Sequence, residues 1–197
     1  SDSDKNREIF LATREGKIYG WESNCTHVIS RDQKEYHLEI NNDTTYYESA
    51  LMVSAGTSFP VSPVLVKDEY AIAAATSEGT VVSWSFSDRN GDTRLDRIFS
   101  REVTTAAITA LISSEDNIYA ATSAGEIAAL SHGGELLWER SISSPLSSLS
   151  LLGNVLVAVS PDKGLFFFSD TGDDHPDLNT IEVSGLGEAV SCLYVEG

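Results

Sequence analysis

Polar and apolar positions alternate in short bursts along this chain, and one pattern occurs four times. An apolar run leads into a polar turn that ends on glycine, and a second apolar run follows, closing on a large residue. Residues 9–21 read IFLATREGKIYGW about Gly16, and residues 73–84 read AAATSEGTVVSW about Gly79. Residues 119–130 read YAATSAGEIAAL about Gly125, and residues 156–168 read LVAVSPDKGLFFF about Gly164. No stretch sustains a 3.6-residue period, so each unit predicts two antiparallel strands and a turn, with little helix anywhere. The turn needs a residue at positive φ, which glycine supplies without steric cost.

The four glycines lie 63, 46 and 39 residues apart. The last two spacings match the roughly 40–45 residues of a four-stranded propeller blade. The first holds about 20 extra residues on that period, and the polar run NNDTTYYE at 41–48 reads as an insertion in a loop. An inner strand is expected before each later hairpin, at 60–66, 107–112 and 146–152. An outer strand is expected after each hairpin, at 36–40, 95–99, 136–142 and 178–183. The chain then begins on the second strand of a blade and ends on an unassigned apolar run, AVSCLYV at 189–195. The simplest closure makes that run the inner strand of the first blade, which removes an exposed sheet edge. The expected fold is an all-β propeller of about four blades of four antiparallel strands, the first blade closed by the C-terminal strand. Its blades are 8–56 with 187–197, then 57–102, 103–143 and 144–186. A larger ring, completed by a second copy of the chain as a homo-oligomer or by further sequence, is the alternative.

The third unit continues as Gly125-Glu-Ile-Ala-Ala-Leu-Ser-His-Gly133-Gly-Glu135-Leu-Leu-Trp138. It resembles the PQQ-like repeat, in which a glycine opens an alternating strand and the next strand carries Gly-Glu-x-x-Trp. The resemblance implies that Trp138 packs between neighbouring blades. The first two units keep the glycine but place Trp21 and Trp84 at the end of the third strand, and the fourth keeps only the glycine and an aromatic strand. A fold is implied, not a chemistry. The quinone-dependent dehydrogenases of that family are much longer, and their alcohol dehydrogenase branch carries adjacent cysteines over the cofactor. Cys25 and Cys192 are not adjacent, so no quinone is expected.

One stretch has the composition of a cation loop. Asp88, Asn90, Asp92 and Asp96 place oxygen side chains at positions 1, 3, 5 and 9, with Gly91 at position 4 and the Arg94 carbonyl as a further donor. Calcium takes six to eight oxygens, and a glycine lets such a loop curl. The stretch resembles the calcium loops of FG-GAP repeats, with Thr93 where glycine is usual. The competing reading is a solvated turn, because Asp, Asn and Gly are turn residues in any case. A second acidic run, Asp170 to Asp177, occupies the same place in the fourth unit with irregular spacing and the stiff Pro176.

Charge and the remaining motifs narrow the function. The formal net charge is −17 on 197 residues, which repels phosphate backbones and argues against nucleic acid as partner. No apolar run is long enough to span a bilayer, and the N-terminal SDSDKNRE has no apolar signal core. The two cysteines stand apart without histidine neighbours, so a zinc site is not expected and free thiols are. His27, His37, His132 and His175 are scattered, and neither G-x-S-x-G, G-x-G-x-x-G nor a P-loop occurs. Repeats without a catalytic constellation point to a non-enzymatic binding or scaffolding module, calcium-stabilised, with a protein or glycan partner. An enzyme of lyase or glycosidase type, its acids converging on the central channel from distant loops, is the alternative. A module of a larger surface protein is a third. Weak calcium sites fill where calcium is abundant, which favours an extracellular or periplasmic setting.

Overall fold

The computed structural model describes residues 7–14, 16–23, 36–40, 43–47, 49–54, 58–66, 71–89, 92–169 and 177–182. Every regular element among them is a β-strand. Strand β1 (Arg7–Ala12) pairs with β2 (Lys17–Ser23). Next, among the described residues, β3 (Tyr36–Ile40) and β4 (Asp43–Tyr47) pair only with each other, and β5 (Ser49–Ser54) returns to β2. The second sheet runs β6 (Val64–Val66), β7 (Ala71–Ala75), β8 (Thr80–Arg89), β9 (Asp92–Glu102). The third runs β10 (Ile108–Ser113), β11 (Asn117–Thr122), β12 (Glu126–Ser131), β13 (Leu136–Ser141). The fourth runs β14 (Ser148–Leu152), β15 (Val155–Ser160), β16 (Gly164–Ser169), β17 (Asp177–Glu182). Three complete four-stranded antiparallel meanders therefore follow one another, preceded by a three-stranded sheet.

Each complete sheet is buried on its faces rather than round a single centre. Phe59, Ile72, Ala74, Val82 and Trp84 fill the layer on one side of the second sheet, with Ala12 of the first against them. Ala71, Ala73, Val81, Ile118, Ala120 and Leu130 fill the layer between the second and third sheets. Tyr119, Ile127, Trp138, Leu156, Phe166 and Phe168 fill the layer between the third and fourth. The strands second in each sheet therefore bury both faces, and all of Ala71–Ala75 and Asn117–Thr122 is buried. That double burial is why they read as unbroken runs of small and apolar residues rather than as alternation. The tryptophan expected to lie between units does so. Trp138 stacks on Phe168 of the next sheet at 6.1 Å, and its own Tyr119 lies 6.0 Å away.

The turn between second and third strands is the constant part. Gly16, Gly79, Gly125 and Gly164 all have positive φ, between 73° and 108°. In three of these turns a threonine opens the loop and its hydroxyl accepts the amide of the residue after the glycine. The pairs are Lys17 on Thr13, Thr80 on Thr76, and Glu126 on Thr122. The glycine amide donates to the threonine carbonyl in the same three, giving a three-residue hairpin loop that closes on a left-handed glycine. In the fourth turn Ser160 replaces the threonine and accepts from the Lys163 amide.

Two expectations for the first unit are corrected. Residues 36–40 are not the outer strand of the first sheet; Ser49–Ser54 is, with Ile18 opposite Val53. The run at 41–48 is not a plain polar loop, since Asp43–Tyr47 is a strand. Tyr36–Ile40 and Asp43–Tyr47 are both rich in β-formers and are joined by Asn41-Asn42, so they close locally on each other. The apolar SALMVS is left to complete the sheet. The proposed closing strand at 189–195, both cysteines and residues 170–176 lie outside the described residues.

Candidate functional site

Four of the five predicted cation ligands fall on a β-ladder. Asp88 lies near the end of β8, and Asp92, Arg94 and Asp96 lie on β9. The register pairs Arg89 with Asp92, Asp88 with Thr93, Ser87 with Arg94 and Ser85 with Asp96. Since Arg89 pairs with Asp92, two residues connect the strands; these, Asn90 and Gly91, lie outside the described residues. Alternation along a strand puts positions 92, 94 and 96 on one face and the Asp88–Thr93 pair on the other. Positions 92 and 96 stand about 13 Å apart along the strand. The ladder thus brings Asp88 beside Thr93 and does not gather the four described positions, 88, 92, 94 and 96, round one point. Asp96 itself is exposed.

This ladder is also unusually long. A register shift at Ser83/Trp84 in the second sheet has its counterpart at Ala129/Leu130 in the third, each four to five residues past the turn glycine. Beyond it β8 and β9 continue for six pairs, from Trp84↔Arg97 to Arg89↔Asp92. In the third sheet one pair, Leu130↔Leu136, follows before a tight turn at Ser131–Glu135. Gly134 in that turn packs on Phe99 of the second sheet; a Cβ there would come within 2.4 Å of the ring. The β3–β4 hairpin is inserted at the equivalent connection of the first sheet. The third-to-fourth-strand connection is therefore where one sheet differs from the next.

A second feature lies at the other end of the same strands. A cleft of about 150 Å³ opens where the segment Val103-Thr104 crosses the face of the third sheet. Its floor follows from the register. Thr122 with Ala120, Glu126 with Ala128, and Ser141 with Glu139 share one face of β11, β12 and β13. Small side chains alternate there with two carboxylates, and the small ones leave the hollow. Glu126 Oε2 accepts a hydrogen bond from Thr104 Oγ1 of the crossing segment and a longer one from Thr122 Oγ1, 3.4 Å. Thr104 Oγ1 also accepts the Ala106 amide at 3.1 Å, and Thr122 Oγ1 accepts the Ala124 amide at 3.3 Å, which fixes both hydroxyls. Arg140 lines the cleft and donates from Nη1 to the Glu139 carbonyl at 3.0 Å.

Sequence reasoning missed this site. Glu126 was visible only as the residue after a turn glycine, and nothing in the spacing joins Thr104 to it. Two of the tryptophans, by contrast, are settled: Trp84 and Trp138 are each 4% exposed and serve packing. Among the described residues no group of three or more His, Cys, Asp or Glu is gathered as metal ligands would be.

Stacked four-stranded antiparallel sheets define the class to which the chain belongs by architecture. No family model matches it, and no curated protein does. Among solved structures 601 chains match, so the architecture is a common one. One is the computationally designed Ika4 protein, with a TM-score of 0.57 and 13% identity over 71% of this chain and 81% of that one. Another is Sqt1 of Saccharomyces cerevisiae, with a TM-score of 0.58 and 15% identity over 90% of this chain and 48% of that one. The chain spans about half the length of Sqt1. Likeness at such identity extends to fold and not to chemistry.

Proposed function

We propose that this chain is a non-enzymatic binding module built as a β-propeller of four-stranded blades, engaging a protein partner through the connections between third and fourth strands. The observation that carries the reading is the contrast between the two ends of the sheets. The Thr-x-x-Gly turns repeat with one geometry, while the opposite connections range from a tight turn to a six-pair extension to an added hairpin. Constant scaffold with variable connections on one rim is how binding surfaces are commonly carried. The resemblance of residues 125–138 to a PQQ-like repeat supports the propeller, as does the burial of sheet faces against one another.

The test replaces residues 86–95 with Asn-Gly, joining Ser85 to Asp96 across an existing ladder pair. The full chain is expected to retain a defined protein from its native extract that the shortened chain, folded by circular dichroism, does not. Equal retention by both would overturn the reading.

Calcium at the β8–β9 tip is the second part of the proposal, favoured by the oxygen-rich spacing of Asp88, Asn90, Asp92 and Asp96 with the Arg94 carbonyl. Binding there has to open the terminal ladder pairs so that Asp88 can reach the face of Asp92. Calorimetric melting in millimolar calcium is then expected to exceed melting in chelator, because a ligand of the folded state raises its stability. A midpoint indifferent to both would remove calcium from the account.

A further inference from the structure

We propose that the cleft between the second and third sheets receives a cationic side chain, arginine or lysine, from a protein partner. The site lies at the opposite end of β12 from the variable connections, so it goes beyond the rim reading. Its shape matches a long side chain with a charged head. About 150 Å³ is space for roughly five waters, comparable to an extended basic side chain. Val103, Ala120 and Ala128 offer apolar contact for the stem, and such stems bury readily while the head stays polar.

The acceptors for the head are in place. Thr104 and Thr122 hold one oxygen of Glu126, which fixes the carboxylate before any ligand arrives. Among the described residues no donor meets Oε1 of Glu126 or the carboxylate of Glu139. Two carboxylates on one face outweigh the single charge of Arg140, whose guanidinium is already turned to a backbone carbonyl. The −17 net charge of the chain adds a field that draws cations from solution. A preformed acceptor pair with a spare oxygen on each member suits a planar donor fork best, so arginine is expected to bind more tightly than lysine.

Amide chemical shifts of the whole chain, titrated with Nα-acetyl-arginine methylamide, test this. Saturable shifts are expected at Val103, Thr104, Thr122, Glu126, Ala128 and Glu139, with none from the uncharged Nα-acetyl-norleucine methylamide. Glu139→Gln, on an exposed residue, is expected to weaken the binding about tenfold or more through loss of a charged hydrogen bond. Replacing residues 86–95 should leave it unchanged, so the cleft and the rim fail separately. Equal shifts with the norleucine derivative would overturn the proposal. So would an unchanged affinity in Glu139→Gln, or a response of these amides to calcium alone.

Discussion

Gly79 and Gly153 both hold positive φ, 80° and 56°, but their neighbours differ. A Cβ on Gly79 would stand 2.0 Å from the Thr104 carbonyl oxygen, whereas one on Gly153 would meet nothing within 4 Å. Gly153→Ala is therefore expected to cost only the left-handed penalty, about 1 kcal/mol. Gly79→Ala adds a backbone collision and should cost about 3 kcal/mol or more. Urea denaturation of the two variants measures the difference, and equal losses would mean that the crossing segment yields freely. The four turn glycines were legible in the sequence because the demand for positive φ is local. The bond between Thr104 and Glu126 was not, because it joins residues 22 apart, one in the segment between the second and third sheets and one at the start of β12. Neither residue type announces such a partner.

The elements were legible wherever the spacing of turn-bounded apolar runs repeats and ambiguous where it does not. Inner strands predicted at 107–112 and 146–152 appear at Ile108–Ser113 and Ser148–Leu152, since an apolar run bounded by turns has one place to go. In the first unit two β-prone segments competed for the edge of β2, and the spacing rule took the nearer one. Local closure through Asn41-Asn42 won, and Ser49–Ser54 took the edge. The acidic stretch at 88–96 is ambiguous for a related reason. Asp, Asn and Gly at alternate positions suit a cation loop, yet they also suit a two-residue hairpin turn at Asn90-Gly91 flanked by paired strands. The shortened chain lacking 86–95 should thus keep its stability to within about 1 kcal/mol, because little chain entropy changes when a surface loop is cut back. A larger loss by urea denaturation would mean that the extension supports the sheets.

Across the whole molecule, the layers between sheets set the stability. Trp138 of the third sheet and Phe168 of the fourth stack at an interplanar angle of 20° in the layer they share. Either change to alanine is expected to cost about 3–5 kcal/mol. The double variant should cost less than the sum by about 0.5–1.5 kcal/mol, the share belonging to the stacked pair. Strict additivity in denaturation would show that the rings contribute independently.

The crossing segments work in two directions at once. The carbonyls of Thr104 and Ser144 plug the hollows over Gly79 and Gly125 behind them. Their hydroxyls reach forward, Thr104 to Glu126 and Ser144 to Ser160 at 2.8 Å. A segment copied in tandem from 103–143 would bring its own cover for the turn it follows and its own hook for the turn it precedes. Genetic duplication can lengthen such a chain one unit at a time without inventing a new joint.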